Sequence, residues 1–469
     1  MRSDVDERAW VSEEFGELEV VDARLKPRVK RMAKRAMECG GGRISDVFCN
    51  DAERQGAYDL LEGGRVPGET LSESMGAACV QRSAHAKFVF VPIDGSSIQV
   101  VDRRKRTDLG LVGTYTNNGR GLMVVSALAV SLEGTPLGLC TQTWWARPTK
   151  RCKRGPSTYR PIHERESRFY VQTIQDVQHR YAQSTCVPWI LIDRGGDATV
   201  ILDELVRGGS RFTVRASWNR RIGSGQPRSF LRQTLGKQPI QQRYEVLIPA
   251  GYKRAARRAT MAVRVATVEL NVSHDWQALR SNPTVHVVWA RETNPPTGEK
   301  PLDWMLYTNA PIATAEDVRL VVRSYTMRWR IEDFHKTWKS GHCRVEETQL
   351  RSVAAVKTWA TLLAAVAARI ERLRHLARNE PETPATVELT EVEIEALKLL
   401  KLDQKKKTEV VGPGIPTIGL AVRWLADLGG YTGKSSGGPP GAMKIGRGLE
   451  RVSDAALLLD KLRAAGKLR

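Results

Sequence analysis

The sequence predicts an α/β protein with a β-rich insertion and helical segments at both ends. Three observations carry that expectation. Between about residues 86 and 193, short apolar runs alternate with a polar helix, the pattern of an α/β layer. Between about 220 and 305, strand-like runs are joined by basic loops. The two ends show helical spacing instead, which gives expected boundaries of 1–75, 76–378 and 379–469.

In chain order, Trp10, Phe15, Leu18 and Val21 have helix-like spacing, and a dense basic run from Arg24 to Arg35 follows. Gly40-Gly41-Gly42 stops that helix, and a second begins near Ser45 or Asn50 and runs through Gln55-Gly56-Ala57-Tyr58 to Leu61. Helices with basic faces suit DNA, and they suit a plain helical hairpin equally well. Phe88 to Ile93 reads as a strand ending in Asp94. Leu122–Val130 and Leu137–Trp145 are further strands, and Glu164–Gln183 is a helix. Trp189 to Ile192 is a short buried strand ending in Asp193. The insertion holds strands at Tyr244–Ile248, Thr260–Leu270 and Thr284–Trp289, with the basic loop Lys253–Arg258 between two of them. A long helix, Ser352 to Arg378, precedes the linker Asn379–Pro384. Beyond it lie a helix at Val392–Leu402, the tract Lys405-Lys406-Lys407, and two helices flanking the Gly/Pro-rich stretch Gly433–Gly441.

The 469 residues carry 73 Lys+Arg against 52 Asp+Glu, a net charge of +21, and this excess points to a polyanionic partner. Seven widely spaced cysteines form no Cys-x-x-Cys pair, which argues against a zinc ribbon and for reduced thiols in the cytoplasm. The N-terminus has no apolar signal core, and the longest apolar run, Thr358 to Ala368, is short for a membrane span.

The most informative segment runs from Tyr325 to Lys339. Taken as one helix, it places Tyr325, Arg328, Glu332, Lys336 and Lys339 in a sector roughly 80° wide, opposite Met327, Ile331, Phe334 and Trp338. One carboxylate among cations suits a metal ligand beside a phosphate backbone. A surface helix with i,i+4 ion pairs produces the same pattern. Two further acids, Asp94 and Asp193, sit at strand ends, where functional groups of α/β sheets collect. Each has an ordinary reading as a turn residue, and Asp197 has one as a cap of the following helix. Three converging carboxylates can hold two magnesium ions for an in-line displacement at phosphorus.

The spacing Tyr325-x-x-Arg328-x-x-x-Glu332-x-x-x-x-x-x-Lys339 resembles the signature of bacterial cut-and-paste transposases of the DDE type, and more narrowly the insertion-sequence-four branch that includes the transposon-five transposase. Weaker likeness appears in Gln55–Tyr58, Trp144–Pro148, Arg211–Arg215 and Leu428–Tyr431. The resemblance implies a ribonuclease H-like core with a mixed sheet, interrupted by the β-rich insertion. Asp94, Asp193 and Glu332 would then be its catalytic triad, binding two Mg2+ that Mn2+ replaces. It also implies nicking of double-stranded transposon ends, a hairpin intermediate, joining to target DNA, and a synaptic homodimer. Trp304 would stack on a displaced base, Arg215, Tyr325 and Arg328 would hold its phosphate, and Lys336 and Lys339 would touch nearby DNA. The sequence departs from the family where Ser96 and Ser97 follow the first acid and where Gly195 replaces a glutamate. A non-catalytic DNA-binding relative and a stand-alone ribonuclease H-like nuclease are the competing expectations.

Overall fold

A computed structural model describes residues 10–101, 108–113, 119–149, 161–223, 229–248, 255–274, 279–404, 410–433 and 438–467. The tract Lys405-Lys406-Lys407, residues 434–437 of the Gly433–Gly441 stretch and the start of the basic loop at Lys253 lie outside the described residues. The chain divides into two compact units. One comprises 1–86, 95–151 and 330–469, and the other 87–94 and 152–329.

The first unit opens with five helices: α1 (Trp10–Glu14), α2 (Leu25–Glu38), α3 (Ile44–Val47), α4 (Asp51–Glu62) and α5 (Gly68–Ser83). α1 stops at Glu14, and Val21, expected on its apolar face, is fully exposed. α4 starts at the cap expected for it, Asn50, whose Oδ1 accepts from Ala52 N at 2.8 Å. α5 has no single apolar stripe. Its buried residues are mostly small ones, including Ser72, Ser74, Gly76, Ala78 and Cys79, so helical periodicity gives little warning of it.

Strand β1 (Phe88–Gln99) begins in the second unit and ends in the first. In the first unit, β2 (Gly110–Val112), β3 (Gly119–Val130) and β4 (Pro136–Trp145) are antiparallel. β4 is buried along nearly its whole length and packs against α5.

The second unit holds α6 (Ser167–Tyr181), β5 (Val187–Ile192), α7 (Thr199–Arg207), β6 (Arg211–Arg215), β7 (Arg221–Ile222), β8 (Ser229–Phe230), α8 (Leu231–Gly236), β9 (Gln242–Ile248), β10 (Arg257–Glu269), β11 (Val272–His274), β12 (Leu279–Ser281), β13 (Thr284–Glu292), β14 (Asp303–Thr308) and α9 (Ala315–Met327). Its sheet runs β1-β5-β6-β14-β13-β10-β9. The β1-β5-β6 part is parallel and the rest antiparallel, so the sheet is mixed, with α6 and α9 packed on β5. Parallel strands need coverage on both faces, and β5 is accordingly apolar and buried from Pro188 to Ile192.

The first unit resumes at Arg330 within α10 (Trp329–Lys339) and goes on through α11 (Val353–Asn379), α12 (Glu391–Gln404), α13 (Ile418–Leu428) and α14 (Ala442–Ala464). α11 is long and apolar enough to cross a membrane, yet 83% of its apolar window is buried inside the protein, where it packs on β4 and α5. It is the central core helix of this unit.

Candidate active site

Asp94 and Asp193 are placed by main-chain register. β1 and β5 are parallel, with Phe88 beside Val187 and Pro92 beside Leu191. Asp94 lies two residues beyond Pro92 on β1, and Asp193 lies two residues beyond Leu191, just past the end of β5. Both acids are half-buried. β1 does not end at Asp94 as expected but continues through Gly95-Ser96-Ser97 to Gln99, because Ile98 and Val100 still bury apolar side chains and Val100 N donates to Arg120 O at 2.9 Å. β5 does end at Ile192. Asp193 Oδ1 there accepts from Gly195 N at 2.7 Å, which holds the carboxylate in one orientation at the strand terminus.

Asp197 does not cap α7, whose N-cap is Ala198. Its buried carboxylate accepts from Ser217 N at 2.6 Å, Trp218 N at 3.0 Å and Arg220 Nε at 2.6 Å, tying the loop after β6 to the loop after β5. Burial pushes its carboxyl upward against the opposing pull of Arg220. The turn-forming Asp193-Arg194-Gly195-Gly196 hinted at a loop but carried no sign of a partner more than twenty residues downstream.

In the second unit, four residues expected to contact DNA are gathered. Arg215 ends β6 beside Leu306 of β14, and its guanidinium donates to Asp303 O at 3.0 Å. Trp304, the next residue, is half-buried, and its ring meets that of Tyr325 edge-on at 5.7 Å. The Arg328 guanidinium lies 5.8 Å from the Tyr325 ring and 5.0 Å from the Trp329 ring. Ser324 Oγ donates to Thr213 Oγ1 at 3.1 Å, holding the end of α9 on β6.

The Tyr325–Lys339 segment is not one helix. α9 closes at Arg328, whose N–H donates to Tyr325 O, and α10 starts at Trp329. The expected polar sector is therefore divided. Tyr325 and Arg328 are buried, Glu332 and Lys339 half-buried, and Lys336 exposed. Aromatic packing of Tyr325 on Trp304 outweighs exposure of its phenol. The expected core side mostly holds: Ile331, Phe334 and Trp338 are fully buried, while Met327 is half-buried.

Glu332 stands in the first turn of α10, in the first unit, where a helix N-terminus favours negative charge. α10 is tethered along its length. Arg330 Nε donates to Gly134 O at 2.9 Å and Trp338 Nε1 to Ala360 O at 2.9 Å. Thr337 Oγ1 donates to the fully buried Glu371, and Arg374 donates to the other oxygen of Glu371 at 2.8 Å. Lys339 Nζ lies 3.4 Å from Glu346. Burial, with the Lys339 charge adding to it, pushes His335 down to about 3, so this imidazole is a neutral core residue.

Two acidic groupings could hold a cation. Asp333, Glu371 and His375 offer ligand atoms within 4.8 Å of one another. The Arg374 guanidinium already supplies positive charge there, 2.8 Å from Glu371 and 3.6 Å from Asp333, so the grouping is a buried ion network joining α10 to α11. The strand-end pair Asp94 and Asp193 fits a small divalent ion better. Both are carboxylates, the hard-ligand type such an ion takes.

Residues 163–368 match the transposase DDE domain family, and residues 7–66 match the transposase DNA-binding family. Asp193, Glu332 and all six expected DNA contacts fall inside the first span, and Asp94 lies before it.

Proposed function

From the premise that this chain is a DDE transposase, a metal-dependent enzyme of DNA cleavage and strand transfer with its own DNA-binding domain, we propose that Asp94, Asp193 and Glu332 form its metal-binding triad. The observation behind this reading is the parallel register of β1 and β5, in which Pro92 pairs with Leu191, each two residues before one of the two acids. Bound there, two Mg2+ would supply activation of the attacking oxygen and charge stabilisation on the departing one.

The protein's own groups then have distinct tasks. Asp193, oriented by Gly195 N, keeps one carboxylate oxygen available at the strand end. Arg215 and Arg328 hold phosphate, the first steadied by Asp303 O and the second by its packing on Tyr325 and Trp329. Trp304 offers an aromatic face to a base displaced when the cleaved end folds into a hairpin. Lys336 and Lys339 on α10 neutralise neighbouring phosphates.

The reading extends to the insertion-sequence-four branch, to hairpin formation and opening at the transposon ends, to a homodimeric synapse, and to action in the bacterial cytosol. The decisive experiment uses DNA carrying the element's own terminal inverted repeats. Glu332→Ala should bind that DNA and fail to nick it in Mg2+ or Mn2+. Cleavage retained by Glu332→Ala would dismiss the triad, and products without hairpins would dismiss the branch assignment.

A further inference from the structure

Trp218 is unlike most large side chains of this protein. It is 67% exposed, on the loop that leads from β6 to β7. Single exposed apolar residues are common and usually mean nothing. Here, however, the loop beneath the indole is pinned at every residue. Ala216 N donates to Met305 O at 2.8 Å. Ser217 and Trp218 donate their N–H groups to the buried carboxylate of Asp197, and Ser217 Oγ donates to Arg194 O at 2.8 Å. Asn219 Oδ1 accepts from Arg232 N at 2.8 Å, and Arg220 grips Asp197 through both Nε and a terminal nitrogen. A fold that orders five consecutive residues this tightly holds the indole out into solvent on a rigid support. That support is tied directly to the loop that follows Asp193.

The surroundings select the partner. Arg194 and Arg221 flank the loop, and the acid that its backbone contacts, Asp197, is buried and already paired with Arg220. An exposed aromatic surface on a loop with arginines beside it suits a nucleic acid. Bases inside a duplex have both faces covered by their neighbours, so only an unpaired or terminal base can lie on an indole. We propose that Trp218 is a stacking platform for an unpaired base of the DNA substrate, held next to the strand end that carries Asp193. The proposal rests on the DNA reading above and adds a contact on a loop, separate from Trp304 on β14.

The test compares full-length wild type, Trp218→Ala and Trp218→Phe on two probes at one salt concentration. One probe is a 2-aminopurine-labelled single strand, and the other is the fully paired duplex of the same sequence. Wild type should bind the single strand and quench its fluorescence. Trp218→Ala should bind it about 5- to 150-fold more weakly, the equivalent of one stacked base, and lose most of the quenching. Trp218→Phe should retain most of both. Duplex affinity should change less than about two-fold, since no stacked base is lost there. Equal single-strand affinity for wild type and Trp218→Ala, or an equal loss on both probes, would overturn the platform while leaving the transposase reading intact. Wild type that binds neither probe would overturn both. Thermal unfolding should not shift, because the indole is mostly outside the core.

Discussion

The strand ends and helix α10 place their carboxylates by opposite means. Asp94 and Asp193 each follow, by two residues, the last rung of the β1–β5 backbone ladder, Pro92 beside Leu191, and take their positions from main-chain register. Glu332 rides on a helix held by side chains: Arg330 to Gly134, Thr337 and Arg374 to Glu371, and Trp338 to Ala360. Main-chain register tolerates changes of side-chain size. A buried polar network does not, because removing one member leaves the others uncompensated. The strand acids should therefore be robust to mutation around them, and Glu332 should be fragile.

That contrast can be broken or sharpened by substitutions of decreasing effect. Asp193→Asn removes a proposed ligand and should slow DNA nicking by at least about 10²–10³-fold, the scale for deleting one preorganised electrostatic contact, with the folded state intact by circular dichroism. Glu371→Ala removes the buried carboxylate that joins Thr337 to Arg374 and should destabilise the protein by about 3–5 kcal/mol in denaturant titrations. Where that variant remains folded, nicking should also fall, by about 10–100-fold, as for loss of an outer-shell support. Thr337→Val removes one hydroxyl from the same network and should cost about 1 kcal/mol, with a smaller loss of nicking and a raised Mg2+ requirement. Ile190→Val, within β5 beside Val91, should cost about 0.5–1.5 kcal/mol and leave nicking unchanged. If Ile190→Val impaired nicking as much as Thr337→Val does, the distinction between the two modes of placement would fail.

The sequence exposed these regions unequally for the same reason. β5 is a short apolar run ending in a polar residue, so Asp193 could be placed at its end from pattern alone. β1 misled at its end, since Gly95-Ser96-Ser97 has turn composition, yet the strand continues with Ile98 and Val100 buried. The apolar side of α10 was readable from helical spacing. The break at Arg328 was not, since no Gly or Pro marks it, and the contact of nearby Tyr325 with Trp304 joins residues far apart in sequence. Glu371 and Asp197 were equally hidden. Each is an acid with a partner far off in sequence, Thr337 for Glu371 and Arg220 for Asp197, and no local period reports such a pairing.

The central claim, that Asp94, Asp193 and Glu332 share one metal site, is tested most directly by replacing Mg2+ with Fe2+ and mapping where the polypeptide is cut by the radicals the ion generates with ascorbate and peroxide. This readout needs no DNA and no turnover. Backbone cuts should cluster around residues 94, 193 and 332 together, and all three clusters should vanish in Asp94→Ala. Cuts near 94 and 193 with none near 332, or cuts that survive Asp94→Ala, would contradict it.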